Sequence, residues 1–266
     1  MFTKILANDE LLRYVPSIHA NKPHHSVSSN YSFIPTIKVV DTIRETGWFP
    51  VQASEQKART EENMGYQKHL IRFSRETDLK TPNRVEIVLV NSHNRTAAFR
   101  ISIGIYRLVC SNGMIVGEEA LKFKHKHIGF DLDAFMNSIE DLSTSASKIQ
   151  DKIEDWNTVT LEPNERGIYA QKAIQGAYKL ENIKDSIIDP DQVLLPRRRA
   201  DIKNHDTLWK TYNIVQESLT KGGLKTSKRT KKGSVIKTRA IRNIDKDLRL
   251  NEMLWNLSEE TYKKLA

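Results

Sequence analysis

Nine basic side chains lie between positions 221 and 242 with no acidic residue among them. They are Lys221, Lys225, Lys228, Arg229, Lys231, Lys232, Lys237, Arg239 and Arg242. Their summed charge equals the net charge of +9 of the whole 266-residue chain, because the remaining basic and acidic residues balance. Cations concentrated in this way bind phosphate backbones by displacing condensed counterions. Residues 221–242 are termed the basic segment, and we predict that they bind nucleic acid.

The composition of the basic segment predicts how it would bind. Its lysines alternate with glycine, serine and threonine, and it contains no aromatic residue. A flexible chain of this kind can follow phosphates without reading bases, so we expect little sequence specificity. A solvated loop with no ligand is the alternative for the same composition. Aromatic side chains that stack on bases would come from elsewhere, and the candidates are Trp48, Phe99, Tyr106, Trp209 and Tyr212, residue types that more often occupy a core.

A second basic cluster consists of Arg197, Arg198 and Arg199. The forked donors of three guanidinium groups match phosphate oxygens, so this cluster would extend the phosphate-binding track. A solvated loop, or ion pairs with the nearby carboxylates of Asp189, Asp191 and Asp201, is an equally good interpretation. The sequence leaves both open.

No motif in the chain predicts catalysis. Glycine-rich phosphate loops, the G-x-S-x-G elbow and the two-histidine zinc helix motif are all missing. His125 and His127 would share one face of a predicted strand, but a metal site needs a third ligand, for which His93 or an aspartate is only a guess. Cys110 ends an apolar strand, and we expect it to be structural. We therefore predict no enzymatic activity, no metal and no cofactor.

Composition also bears on location. No apolar run approaches the 18 residues of a membrane span, and acidic and polar residues interrupt the first 12 positions, where a signal peptide would be apolar. The single cysteine excludes an internal disulfide and fits a reducing compartment. We expect a soluble protein in the cytoplasm of a bacterial host cell, without contact to a membrane.

Two regions of different periodicity must position the basic residues. After a poorly patterned start, a short helix from Thr36 and an extended segment at 48–51 precede a β-rich centre. There we predict an antiparallel meander of four or five strands, with Ser111, Asn112 and Gly113 in a hairpin turn. The expected strands are 70–73, 84–90, 99–109, 114–116 and 121–128.

From residue 131 the apolar period changes to about three and a half. Apolar residues at this spacing form a seam along one face of a predicted helix, and they are Phe135, Ile139, Leu142, Ala146, Ile149, Ile153 and Trp156. It could pack within the chain, which we favour, or against a second copy in a homo-oligomer. Further helices are expected at 164–180, 207–221 and 238–265, with the basic segment as the link before the last. The fold class is thus α+β, with a β-rich region 1–130 and a helical region 131–266 in one integrated domain.

Three separated blocks resemble a large family of uncharacterised proteins borne by phages and plasmids. They are GWFPV at 47–51, the run from LVNSHNRTAAF to CSNGMIVG at 89–117, and TLWKTYNIVQESLTKGG at 207–223, followed by RAIRNID at 239–245. The blocks occur in order and span most of the chain. The resemblance implies a mobile-element context and supplies no functional residues.

These observations lead to two functional hypotheses. The first is a sequence-nonspecific DNA-binding protein of a phage or plasmid, favouring single strands and supporting recombination or replication. The alternative is an interaction protein that inhibits a host defence or nuclease complex. Basic mobile-element proteins without enzyme motifs commonly serve either role, which is an association and not a physical derivation.

Overall fold

The computed structural model describes residues 4–81, 83–107, 112–115, 122–125, 131–182, 187–197 and 206–265. The chain forms two compact units, Met1–Lys148 and Ile149–Ala266. Several residues that carry predictions lie outside the described residues: Cys110, Ser111, His127, Arg198, Arg199 and Asp201. The integrated domain expected from the sequence stays a prediction, and each unit is described separately.

The first unit is built on an antiparallel sheet of six described strands. Strands β1 to β4 form a meander, and β5 and β6 pair with the two halves of the outer edge of β4. Their bounds are β1 Phe49–Glu55, β2 His69–Ser74, β3 Asn83–Asn91, β4 Phe99–Arg107, β5 Asn112–Ile115 and β6 Lys122–His125. The β-branched and aromatic residues that predicted these strands fill both faces of β2 and β3, which are buried along almost their whole length. The predicted antiparallel meander and the α+β class are confirmed.

One predicted turn is wrong. Asn112 and Gly113 are strand residues, paired with Arg107 and Tyr106 of β4. An Asn-Gly pair tolerates turn geometry but does not require it, and the backbone pairing with β4 outweighs that local preference.

Helices pack beside the sheet in the first unit. Helix α1 spans Asn8–Tyr14, a 3₁₀ turn spans Pro16–His19, and α2 spans Thr36–Glu45, beginning where the sequence predicted. The sequence does not predict α1, because two turns are too short to show a clear apolar period. Leu11 of α1 is completely buried, and so are Val15 and Ile18, which follow the helix.

Charged side chains are buried in the middle of the sheet. The Glu86 carboxylate accepts hydrogen bonds from Arg84 at 2.8 and 2.9 Å and from Arg72 at 3.2 Å. All three side chains are at most 3% exposed. Two guanidinium groups around one carboxylate satisfy its oxygens, which is the condition under which a buried ion pair is tolerated.

A neutral histidine network lies at the edge where α2 meets the sheet. His69 Nδ1 is 3.0 Å from the Gln67 carbonyl oxygen, which can only accept, so Nδ1 carries the proton. His69 Nε2 then accepts from the Thr36 hydroxyl at 2.9 Å, and Ser17 and Asn91 complete the network. Complete burial lowers the pKa of the His69 imidazole to about 4, because the charged form is poorly solvated there.

The pH dependence of stability should report this histidine. Below about pH 6.5 an unfolded chain binds a proton at His69 that the folded chain excludes down to about pH 4. The contribution of His69 to the free energy of unfolding is therefore fully present above pH 6.5 and falls by about 3 kcal/mol as the pH decreases to 4. Urea unfolding across this range should show the loss. His69→Gln should flatten the profile, whereas His25→Gln, at an exposed histidine, should leave it unchanged; equal profiles for all three proteins would contradict the assignment.

Helix α3, Leu132–Thr158, carries the apolar seam, and the boundary between the units falls within it. All seven predicted seam residues are buried. In the first unit the Phe135 ring meets Phe99 of β4 edge-on, with centroids 5.4 Å apart. In the second unit Trp156 packs against Trp255 at 4.6 Å. The seam is thus occupied by contacts within the chain, as we favoured.

Four helices within the described part of the second unit surround the end of α3. They are α4 Pro163–Tyr178, α5 Asp191–Leu194, α6 Leu208–Lys221 and α7 Ile244–Leu265. Its core is a cluster of large aromatic side chains from α3, α6 and α7, all at most 1% exposed: Trp156, Trp209, Tyr212 and Trp255. Helix α6 begins at the cap Thr207, whose hydroxyl accepts from the Lys210 amide, as the sequence predicted. Helix α7 begins six residues later than predicted, because residues 238–243 belong to the connection before it. Among the described residues, no helix combines the length and the apolar character needed to cross a membrane.

Candidate nucleic-acid interface

Residues 225–237 of the basic segment form a β-hairpin, termed the basic hairpin, and not the flexible loop that the composition predicted. Strand β7, Lys225–Arg229, pairs antiparallel with β8, Val235–Lys237. At the tip the Gly233 amide donates to the Thr230 carbonyl at 2.9 Å, and Gly233 has a φ of 81°. Arg229 donates from its guanidinium to the Gly233 carbonyl at 2.9 Å. The glycine therefore fixes a tight turn that a side chain would strain.

The base of the hairpin is anchored to the helical unit. The Thr238 amide donates to the Leu224 carbonyl at 2.9 Å, and the Leu224 amide donates to the Thr238 hydroxyl at 3.1 Å. On the other side, the Gln192 side chain bonds both the amide and the carbonyl of Lys225, at 2.8 and 3.0 Å. Leu224 is itself only 4% exposed. These contacts determine where the basic strands emerge from the unit.

Gly222 is the point where the chain enters the hairpin, directly after α6. Its φ of 66° and ψ of −152° lie in a region that is essentially restricted to glycine. A Cβ atom there would lie 2.6 Å from the Arg239 carbonyl carbon and 2.8 Å from the Ala240 nitrogen. The two backbone segments that bound the hairpin therefore cross at van der Waals contact, and the crossing requires glycine.

All nine basic residues of the basic segment are exposed. None of them forms a salt bridge with another described residue. Lys225 and Lys237 occupy directly opposite positions of the hairpin. Like charges at opposite positions destabilise a strand pair, and a bound anion would remove that penalty. The charge distribution of the folded hairpin thus favours an anionic ligand.

Arg197, the described member of the arginine triplet, lies beside the base of the hairpin. Its guanidinium donates to the Gly222 carbonyl at 2.5 Å and to the Ser218 hydroxyl at 3.4 Å. It thereby caps the carboxyl end of α6, where a cation is favourable. Among the described residues it has no ion pair with Asp189 or Asp191. Its position is adjacent to the basic segment, as the phosphate-track hypothesis requires.

Four of the five aromatic candidates for base stacking are core residues. Trp48, Phe99, Trp209 and Tyr212 are at most 2% exposed and cannot present a face to a ligand. The side chain of Tyr106 lies outside the described part of the structure. Sequence reasoning did not single out Tyr178, which is 40% exposed at the end of α4. The apolar period of α4 places Tyr178 on the same face as buried residues. The period alone does not reveal that the Tyr178 side chain is partly exposed.

The described residues contain no group of three or more His, Cys, Asp or Glu placed to hold a metal ion. His125 is in β6, opposite Phe99 of β4, and its partner His127 lies outside the described residues. His93, the guessed third ligand, is completely buried, with Nε2 3.2 Å from the Thr36 hydroxyl. His93 therefore belongs to the network around His69. The expectation that His125 and His127 hold no metal stays a prediction, because His127 lies outside the described residues.

The chain belongs to the family described as domain of unknown function DUF932, whose model matches residues 23–255. Two relatives from Escherichia coli strain K12, UPF0380 protein YfjQ and UPF0380 protein YafZ, are each 32% identical over 260 residues. These alignments cover 98% of this chain and 93% of each relative. No solved structure matches the chain. The resemblance noted in the sequence is thus confirmed at the level of the family.

The crossing at Gly222 can be tested by comparing two adjacent glycines. Gly222→Ala combines a forbidden backbone region with a clash against backbone atoms, and should lower the free energy of unfolding by about 3 kcal/mol. Gly223 also has a positive φ, of 80°, but a Cβ there would meet open space, so Gly223→Ala should cost about 1 kcal/mol. Urea denaturation followed by tryptophan fluorescence measures both. Equal losses would show that the close approach does not constrain the fold.

Proposed function

We propose that this protein binds DNA through the phosphate backbone, without sequence specificity, using the basic hairpin. The observation that carries the proposal is the exposure of all nine cations of the basic segment, whose hairpin is anchored to the helical unit. Within the described residues, none of these cations forms a salt bridge with a carboxylate. Arg197 and the two arginines after it would extend this surface. Lysines bind phosphates as point charges and do not discriminate between bases, which supports the proposal of binding without sequence specificity.

An exposed aromatic side chain near the hairpin bears on whether the protein prefers single- or double-stranded DNA. A two-stranded ribbon alone can follow a single strand or enter the major groove of a duplex. An exposed tyrosine beside the cations favours single strands, because only unpaired bases offer a free face for stacking. We propose a preference for single-stranded DNA, and a role in recombination or replication.

The biological setting of the proposal rests on the family. The two relatives are from a bacterium. The sequence blocks alone imply the link to phages and plasmids, which is part of the proposal. We propose that the protein acts in the bacterial cytoplasm, as a non-enzymatic factor of a mobile element.

One observation favours a second function. Val235 and Ile236 of β8 are 38% and 39% exposed amid the cations. Adjacent apolar side chains in a charged strand suit a protein partner, such as a host defence or nuclease complex that the protein would inhibit. In that case the cations would contact an acidic protein surface and not phosphates.

Four substitutions at the tip test the DNA-binding proposal. Lys228→Ala, Arg229→Ala, Lys231→Ala and Lys232→Ala together remove four charges from the hairpin. If all four contact single-stranded phosphates, the slope of log affinity against log salt should become shallower by about 3, with a large loss of affinity at low salt. Fluorescence anisotropy with a labelled oligonucleotide measures both quantities.

The matched control removes the same charge from the first unit. Lys22, Lys57, Arg59 and Lys80 are exposed and comprise the same residue types. Their replacement by alanine changes the net charge equally, so it should reduce affinity only through the weak general field of the protein. Equal losses in both quadruple variants would contradict a role for the hairpin. Unchanged affinity in the hairpin variant would favour the protein-partner function.

A further inference from the structure

A groove adjoins the base of the hairpin in the second unit. Its walls are the end of α4, residues 238–243 and one face of α7, and its volume is about 720 Å³. Gly176 allows α7 to approach α4, because a Cβ atom there would lie 2.8 Å from the Met253 sulfur. The size falls within the range of sites that hold small organic ligands.

The groove combines an apolar floor with a cationic rim. Leu250, Ile241 and Met253 contribute apolar surface, and five basic side chains line it: Lys179, Arg239, Arg242, Lys246 and Arg249. No carboxylate is among its lining residues. A simple anion would gain nothing from the apolar floor, and a purely apolar ligand would gain nothing from five cations. The chemistry therefore suits a ligand with an apolar planar part and a phosphate.

Tyr178 provides an aromatic surface within this groove. It lines the groove and is 40% exposed. Thr238 lines the same groove and directly follows Lys237 of β8. The tyrosine therefore lies near the base of the basic hairpin, where a bound strand would leave the cations.

We propose that this groove holds one nucleotide of a DNA strand, with its base on Tyr178 and its phosphate between Arg239 and Arg242. The inference rests on the proposed function and deepens it. The hairpin supplies charge without any aromatic residue, and the groove supplies the stacking surface that it lacks. Base stacking on an aromatic side chain is tolerant of sequence, so the groove adds affinity without adding specificity.

The test compares three tyrosine variants with a fluorescein-labelled oligothymidylate of about 20 nucleotides, long enough to span the hairpin and the groove. Tyr178→Ala removes the ring and should weaken binding about 10-fold. Tyr178→Phe retains the ring and should stay within about twofold of the unaltered protein. Tyr14→Ala removes a similarly exposed tyrosine beside Arg13 in the first unit, and should have no effect.

An abasic oligonucleotide separates stacking from a structural effect of the substitution. The unaltered protein should bind the abasic strand about 10-fold more weakly than oligothymidylate, whereas Tyr178→Ala should bind both strands equally. The unaltered protein could instead bind DNA with an affinity that neither base removal nor Tyr178→Ala changes. That result would overturn the groove assignment and leave the proposed function intact. If the unaltered protein binds no oligonucleotide at low salt, both are overturned.

Discussion

The arrangement of the candidate interface depends on one close approach between two stretches of backbone. Gly222 ends α6 and lies against the peptide that joins Arg239 to Ala240. The chain leaves this point as β7 and returns to it after β8, so the crossing closes the base of the hairpin. It also places Arg239 and Arg242 beside α4 and α7, where they form the rim of the groove. A bulkier residue at position 222 would separate the segments that both features share.

The crossing is held in turn by the core of the second unit. The rings of Trp209 and Tyr212 on α6 stack at 5.4 Å and lie close to Trp156 of α3 and Trp255 of α7. Replacing one buried aromatic side chain by alanine typically costs about 3–5 kcal/mol. This cluster therefore fixes the end of α6, and with it the direction in which the cations emerge. Residues without any ligand contact thus determine where the charge is presented.

Much of this architecture could be predicted from the sequence, because periodic burial leaves a clear pattern. The seam from Phe135 to Trp156 and the strands around Ile87 and Ile103 follow directly from the spacing of apolar residues. The hairpin could not be predicted in the same way, since Lys225–Arg229 is polar and exposed and its pairing depends on distant anchors such as Gln192.

The groove was beyond sequence reasoning for a related reason. Tyr178 and Met253 are far apart in the chain and meet only because α4 packs on α7 at Gly176. Charge could be counted from the sequence, and the basic segment that it indicated is exposed. Its geometry, and the aromatic surface beside it, are products of tertiary packing.

The central claim is that phosphates are the ligand of the basic hairpin. The most direct measurement is an anisotropy titration of the unaltered protein with single- and double-stranded oligonucleotides of unrelated sequence, at about 50 and about 200 mM salt. If about six cations contact a single strand, affinity should fall a few hundredfold between these conditions, with a log-log slope of roughly −4, and the single strand should bind more tightly. Absence of binding at the lower salt, or binding that salt does not weaken, would contradict the account.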